Sequence, residues 1–213
     1  MRALLLPPAV EVRRRLPRLL FGLVLCGLGI AAMVAADLGL GPWDVLHQGI
    51  SRLSGIPIGT VGILVGIVVL LGWLPLSERL GLGTILNVVV IGVVIDLTLL
   101  WLDTPEPLWG RIGLLAVGPP LFAIGSGFYI GAGLGPGPRD GLMTGLAKRG
   151  LPVGAVRMGL ELTVLALGWL LGGTAGVGTA YFALAIGPMV HLALPPLTLP
   201  EPPIPTDAAV SAR

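Results

Sequence analysis

GLGPWD at residues 39–44 recurs as GPGPRD at residues 135–140, so the pattern G-x-G-P-x-D occurs twice with a spacing of 96 residues. The similarity extends over 23 aligned positions, of which 11 are identical. The aligned segments are 38–53 and 55–61 in the first copy and 134–149 and 150–156 in the second. A similarity that keeps its register over this length indicates an internal duplication.

The chain around these two copies is too apolar for a soluble protein. Only 11% of its 213 residues are charged, against about 25% in a typical soluble domain, and the mean hydropathy is +0.96. Five stretches contain no Asp, Glu, Lys or Arg: 19–36, 53–77, 80–95, 112–138 and 162–200. Because a helix needs about 20 apolar residues to cross about 30 Å of hydrocarbon, these stretches predict an integral membrane protein in contact with the lipid bilayer.

Six spans are predicted, three in each copy, at 19–36, 57–75, 82–102, 110–132, 152–172 and 176–194. Because three is odd, the second copy begins on the opposite side of the membrane, so the two copies must be inverted. The predicted fold is an all-α membrane protein of six transmembrane helices in two inverted three-helix repeats, with short amphipathic helices after spans one and four. Its divisions are a basic N-terminal segment at 1–18, a first repeat at 19–102, a loop at 103–109, a second repeat at 110–194 and a proline-rich tail at 195–213. Six prolines between 195 and 205 predict that this tail does not continue the last helix.

The positive charges predict the orientation of these spans. With the N-terminus inside, eleven Lys and Arg residues lie on the cytoplasmic side and only Arg52 and Arg111 lie outside, which agrees with the positive-inside rule. Both termini are therefore expected in the cytoplasm. Because the cations lie in loops and at the N-terminus, the net charge of +2 does not indicate nucleic acid as a partner.

The first apolar stretch allows two interpretations. Three arginines at 13–15 followed by the apolar segment 16–36 fit a signal peptide cleaved before Asp37, or a first span that is retained. Retention is the preferred interpretation, because the second copy repeats this segment inside the chain. The lone Cys26 excludes an internal disulfide, and no Cys or His spacing predicts a metal site or a cofactor.

Each G-x-G-P-x-D motif places a proline and then an aspartate in the first turn of a short helix. Asp44 and Asp140 then face the positive ends of their helices, and the simpler interpretation is that they only cap them. The alternative is that inverted repeats bring both helix ends to a shared central cavity, where the carboxylates hold a polar solute or an ion.

The first short helix is amphipathic and adds two candidate binding residues. Its polar face carries Asp44, His47 and Gln48, opposite Trp43 and Leu46. Such a helix either lies flat at the membrane surface or re-enters the membrane beside an aqueous vestibule, and the surface position is the preferred interpretation.

Four further ionisable residues fall within or near predicted spans, where a charge costs at least about 2.5 kcal/mol at the midplane. Arg157 and Glu161 are spaced i, i+4, so a mutual salt bridge is the simpler interpretation, and Glu161 as a proton or cation carrier is the alternative. Asp96 and His191 occupy equivalent places near the ends of spans three and six, where capping or snorkelling is expected. The candidate binding residues are thus Asp44, Asp140, Glu161, Arg157, His47 and Gln48.

The doubled motif also carries a family resemblance. With the flanking sequences ADLGLGPWDVL and IGAGLGPGPRDGLMTGL, and with GLGT at 81–84 matching GVGT at 176–179, the chain resembles the bacterial YczE membrane proteins and the wider YitT group over about residues 20–192. The resemblance implies an integral protein of a bacterial plasma membrane. It supplies no functional residues.

The leading functional hypothesis is a small transporter or permease whose repeats rock about a central site, with Asp44, Asp140 and Glu161 coupling to a solute or to protons. The second is a noncatalytic accessory or scaffold protein that regulates a partner enzyme through its Gly-rich helix faces, its amphipathic helices or its proline-rich tail. The Gly-rich faces are also candidate contacts for a homo-oligomer. Catalysis comes third and is not expected, because no P-loop, HExxH or nucleophile motif is present. A transporter predicts a polar cavity lined by both repeats, whereas a scaffold predicts a filled centre.

Overall fold

The computed structural model describes residues 9–76 and 80–200, and all regular structure in these two ranges is helical. Eight helices follow one another as α1 (Ala9–Ala36), α2 (Pro42–Ser54), α3 (Ile58–Leu71), α4 (Leu82–Leu99), α5 (Leu108–Gly131), α6 (Pro138–Ala147), α7 (Val153–Leu170) and α8 (Val177–Leu197). The all-α prediction is confirmed for this part of the chain, and α2 and α6 are the two short helices. Arg2, Arg79 and Arg213, which contributed to the predicted orientation, lie outside the described residues.

Five of the helices, α1, α4, α5, α7 and α8, are long and apolar enough to cross a membrane. The pair α2 and α3, bent by 115°, makes a sixth candidate if it counts as one span. Six full spans were predicted, but α3 has only 14 residues where the predicted span covers 57–75. At 1.5 Å per residue it is about 21 Å long, because the chain leaves the helix in a series of turns from Gly72 onward.

The last helix extends beyond the point that the sequence predicts. The expectation that the nonhelical tail begins at Pro195 is wrong, since α8 continues through Pro195 and Pro196 to Leu197. The arginines of α1 hold this end: Arg18 Nη2 donates to the carbonyl oxygen of Leu197 over 2.6 Å, and Arg15 Nη2 donates to that of Pro200. The remainder of the predicted tail, 201–213, lies outside the described residues, as does 1–8 of the basic N-terminal segment, whose residues 9–18 belong to α1.

Glycines bring α1 and α5 into close contact. A Cβ added to Gly22 would lie 2.6 Å from the carbonyl oxygen of Gly125, and a Cβ added to Gly29 would lie 2.6 Å from that of Gly118. Only residues without a side chain allow two helix backbones to approach this closely, as at small-residue contacts in membranes. The pair forms the middle of the molecule, with α4 packed on α1 and α8 packed on α5.

Arginine side chains tie the two ends of this antiparallel pair. Arg15 Nη1 donates to the carbonyl oxygen of Ala132 over 3.0 Å, and Arg111 Nε donates to that of Ala36 over 2.7 Å. The side of the molecule at which Arg15 meets Ala132 is called the Arg15 end below. The opposite side, at which Arg111 meets Ala36, is called the Arg111 end.

The loops that contain the two motifs pack on the starts of α8 and α4. The amide of Gly178 donates to the carbonyl oxygen of Leu38, and the amide of Gly83 donates to that of Leu134, each over 2.8 Å. As a result α8 begins at the Arg111 end, whereas α4 begins at the Arg15 end.

The polar face of α2 is buried. Asp44, His47 and Gln48 are each at most 7% exposed, so the preferred interpretation of a helix lying flat with this face in water is wrong for α2. Groups far along the chain cover the face: the amide of Thr174 donates to Gln48 Oε1 over 2.6 Å, and Arg139 lies beside Asp44. On α6, by contrast, Asp140 is exposed.

Asp96 caps α3, which confirms one of its two expected roles. The amides of Gly59 and Thr60 donate to its carboxylate over 2.6 and 2.7 Å, and the Thr60 hydroxyl donates over 2.7 Å. These three bonds join the start of α3 to α4 near the Arg111 end. His191, at the equivalent place on α8, is exposed.

Candidate functional site

A cavity of about 580 Å³ lies between the helices and is lined by residues from all eight of them. This volume falls in the range of about 300–1,000 Å³ that is typical of small-molecule sites. Apolar side chains such as Val88 and Phe182 make up part of its wall. Its ionisable lining includes Asp44, His47, Arg139, Asp140, Arg157 and Glu161, so both G-x-G-P-x-D motifs reach the same cavity.

Asp44 is the most enclosed of these groups. It stands in the first turn of α2, where Pro42 needs no amide partner and the positive helix end favours a carboxylate. Asp44 Oδ1 lies 3.4 Å from His47 Nδ1 and 3.7 Å from Arg139 Nη2. The helix end and the guanidinium balance this buried charge, and the imidazole is a polar neighbour of the carboxylate.

Arg139 belongs to the second motif and reaches across to the first. Its guanidinium carbon lies 5.1 Å from the centre of the Trp43 ring, within the distance of a cation–π contact. Trp43 is buried, and its indole Nε1 has no hydrogen-bond partner among the described residues. One guanidinium therefore contacts both the carboxylate and the aromatic ring of the first copy.

Asp140 is in the same position on α6 but has different surroundings. It stands in the first turn after Gly137 and Pro138, and Tyr129 Oη donates to its Oδ2 over 3.4 Å. Unlike Asp44, it is exposed. The two aspartates thus share a cavity and a helix position, but only one of them is buried.

Arg157 and Glu161 form the ion pair that their spacing predicts. Arg157 Nε lies 3.1 Å from Glu161 Oε1, and both residues line the cavity from α7. The side chains are 56% and 32% exposed, so water screens the pair. The cavity therefore carries three carboxylates and two guanidiniums, both signs of charge that a polar solute or an ion can meet.

Gln48 lies outside the cavity lining, unlike the other five candidate binding residues. Its side chain is occupied by the loop between α7 and α8, through the bond from the Thr174 amide. The structure thus brings together Asp44, His47, Asp140, Arg157 and Glu161. It places Gln48 at the contact between α2 and the loop that joins α7 to α8.

Two lining residues of α5 were not singled out from the sequence. Tyr129 donates to Asp140, and Ser126 Oγ lies 3.8 Å from Cys26 Sγ on α1. Tyr129 is one of two tyrosines in the chain, and a phenol in an apolar span was the available signal. In residues 9–76 and 80–200, no three His, Cys, Asp or Glu side chains come together as a metal site.

Comparison with known proteins places these features in a family. The family of unknown function DUF6198 matches residues 13–195. A Haemophilus influenzae protein, described as uncharacterised, is 42% identical over 83% of this chain and 81% of its own length. The Bacillus subtilis membrane protein YczE, also described as uncharacterised, is 35% identical over 82% of each chain.

A second Bacillus subtilis protein, YyaS, is 25% identical over 82% of this chain and 89% of its own length. No solved structure matches the chain. The family match covers both motifs and all eight helices nearly completely. The chain therefore belongs to the YczE-like membrane protein family described as DUF6198.

Proposed function

We propose that this protein is a small transporter or permease, with no catalytic activity, which moves a small polar solute or an ion through the cavity between two inverted three-helix repeats. One observation carries the proposal: the two G-x-G-P-x-D motifs, 96 residues apart, line one cavity of about 580 Å³. A scaffold protein would be expected to have a filled centre, so the cavity favours transport over the accessory role.

Reciprocal contacts support the inverted repeats. Arg15 and Arg111 are 96 residues apart, as are Ala36 and Ala132, and each arginine donates to the alanine carbonyl of the other copy. A two-fold rotation that exchanges the copies produces such swapped pairs. Because α1 and α5 are antiparallel, this axis lies across the helices, in the plane of a membrane that they span.

The helix crossing between α1 and α5 follows the same rule. Gly22 meets Gly125 and Gly29 meets Gly118, and the spacing of 96 residues converts each pair into the other. A residue on the axis must meet its own equivalent. Cys26 Sγ lies 3.6 Å from the carbonyl oxygen of Phe122, which is 96 residues away.

Trp43 and Arg139 form a second such pair, because they too are 96 residues apart and in contact. The proposed axis therefore passes through the cavity, with Asp44 and Asp140 on either side. We assign Asp44, Asp140 and Glu161 to solute or proton coupling. We place the protein in a bacterial plasma membrane with the Arg15 end and both termini in the cytoplasm, as the distribution of cations favours.

A transport assay tests this proposal. A thermal-shift screen of small polar compounds and salts selects solutes that stabilise the purified protein, and uptake of those solutes is then measured in proteoliposomes. Asp44→Asn and Asp140→Asn should each lower the flux at least about tenfold, whereas Asp103→Asn, in the exposed loop after α4, should not change it. Unchanged flux in both cavity variants would contradict the assigned coupling role.

A further inference from the structure

We propose that the structure is one of two alternating states, in which the cavity is closed at the Arg111 end, and that Arg139 exchanges Asp44 for Asp140 in the other state. This inference rests on the proposed function. It adds one gate at each end of the cavity, and it adds Arg139 as a counter-ion that moves between the two aspartates.

The gate at the Arg111 end is formed by α3 and α4. A Cβ added to Gly92 would lie 2.5 Å from the carbonyl oxygen of Gly59, so the two backbones are in contact. The Asp96 carboxylate adds its three bonds to Gly59 and Thr60. Backbone contact and a charged cap together close this pair of helices.

The equivalent helices of the second copy, α7 and α8, are apart. Gly154 and Gly187 correspond to Gly59 and Gly92, 95 residues later because of the single-residue gap in the alignment. A Cβ on Gly154 or on Gly187 would meet nothing within 4 Å. The contact that closes one copy is therefore open in the other, although both copies keep the two glycines.

The two short helices are also held in different ways. Gly168 of α7 packs directly on the backbone of α2, where an added Cβ would lie 2.5 Å from the carbonyl carbon of Val45. At the equivalent position, 95 residues earlier, the side chain of Trp73 covers Gly141 of α6, and its indole Nε1 donates to the carbonyl oxygen of Pro138 over 2.9 Å. The first short helix is thus in backbone contact with α7, whereas a tryptophan side chain stands between the second short helix and the end of α3.

The two aspartates differ in exposure, as the two copies differ in packing. Asp44, in the tightly packed short helix, is 4% exposed, whereas Asp140 is exposed to the cavity. Exchanging the conformations of the two copies would bury Asp140 and expose Asp44. Helix contacts that have two discrete arrangements are the usual basis of such transitions.

The counter-ion cannot be exchanged by symmetry alone. The equivalent of Arg139 is Trp43, which has no charge, so the opposite state contains no second guanidinium at this place. Arg139 lies on the proposed axis, in contact with Trp43 and 3.7 Å from Asp44. It is therefore positioned to balance whichever aspartate is buried.

Transplanting the cap tests the alternating gates without any solute. Ala155→Thr with His191→Asp copies Thr60 and Asp96 to the equivalent positions of α7 and α8. Spin labels at Met158 and Leu192, both exposed, report the distance between these two helices in a Cys26→Ser background. The population with the shorter distance should rise about fivefold in the transplant, because a helix cap then favours the closed pair. Asp96→Asn should shift the population in the same direction.

The aspartates give the sharper test of Arg139. Asp44→Asn removes the partner that Arg139 has in the present state, so the population with the shorter α7–α8 distance should rise. Asp140→Asn removes the partner that Arg139 has in the other state, so the same population should fall. Shifts of the same sign in both variants would overturn the exchange of Arg139. Arg139→Gln removes the partner of both aspartates and should produce a smaller shift than either.

A label pair at Phe21 and Ile124, across the tight α1–α5 contact, is the control for folding and should keep one distance in every variant. If that control is unchanged and the Met158–Leu192 distance responds to none of the variants, the alternating gates are disproved. The proposed function fails separately. If the distances respond as expected but the protein takes up none of the stabilising solutes, the alternating gates stand and the transport function is disproved.

Discussion

At the scale of single residues, identical motif positions have different environments. Asp44 and Asp140 both stand in the first turn of a helix that begins with Gly-Pro. Asp44 is enclosed by His47 and Arg139, whereas Asp140 accepts a hydrogen bond from Tyr129 and is exposed. The local sequence therefore determines the helix position of the carboxylate, and the packing of distant segments determines its exposure.

This difference predicts unequal effects on stability. Asp44→Asn removes a buried carboxylate that faces two cationic or polar partners and should lower the free energy of unfolding by about 1–2 kcal/mol, a discounted value because Arg139 is partly exposed. Asp140→Asn should change it by less than about 0.5 kcal/mol. Thermal unfolding in detergent measures both, and equal shifts would contradict the environments described.

Gln48 gives a second prediction at this scale. Gln48→Ala removes the acceptor of the Thr174 amide and should destabilise the protein by about 1 kcal/mol, because the partly buried donor is left unpaired. Since Gln48 does not line the cavity, the stabilisation by a solute found in the thermal-shift screen should be the same as in the wild type. Leu53→Ala, at the exposed end of α2, is the matched control for stability. Loss of the solute effect in Gln48→Ala would place this residue in the binding site instead.

At the scale of the helices, the sequence predicts where they lie better than what covers them. The predicted spans locate all five long helices, including α7 with its Arg157 and Glu161, and the Gly-Pro steps locate α2 and α6. The burial of the polar face of α2 could not be predicted in this way, because its partners Arg139 and Thr174 are about a hundred residues away along the chain. For the same reason Arg139 is visible in the motif, but its contact with Asp44 is not.

The spacing between α1 and α5 leads to a prediction for glycines. Gly22→Ala places a methyl group against the carbonyl oxygen of Gly125, so the helices must separate, at a cost of about 1–3 kcal/mol. Gly159→Ala, within α7, has open space around it and should leave stability unchanged or raise it by about 0.5–1 kcal/mol. Melting temperatures in the same detergent compare the two variants. A Gly22→Ala protein as stable as Gly159→Ala would show that the close approach is not required.

At the scale of the whole molecule, charged side chains join elements that lie far apart in sequence. At the Arg15 end, Arg15 and Arg18 reach the final residues of α5 and α8. At the Arg111 end, the Asp37 carboxylate pairs with two arginines. Its Oδ2 lies 3.3 Å from Arg111 Nη2, and its Oδ1 lies 3.7 Å from Arg52 Nη2. Because α1 takes part at both ends and packs along α5 between them, its removal as a signal peptide would leave α5 without its main partner.

The proposed inversion leads to a prediction about the sides of the membrane. Leu53, in the last turn of α2, and Arg149, just after the end of α6, occupy equivalent positions 96 residues apart, and both are exposed. If the repeats are inverted, Leu53→Cys and Arg149→Cys must react with a membrane-impermeant thiol reagent from opposite sides, because an axis in the membrane plane exchanges the two surfaces. In the proposed orientation, which follows the positive-inside rule, Arg149 faces the cytoplasm.

Sealed right-side-out and inverted vesicles carrying each single cysteine distinguish the alternatives. The buried Cys26 should remain unlabelled in both preparations and serves as the background control. Leu53→Cys should label only in right-side-out vesicles, and Arg149→Cys only in inverted ones. Labelling of both cysteines from one side would mean that the copies are related by an axis along the membrane normal. That result would also disprove the alternating gates. With an axis along the membrane normal, both copies face the same side, so exchanging their conformations could not open the opposite end of the cavity.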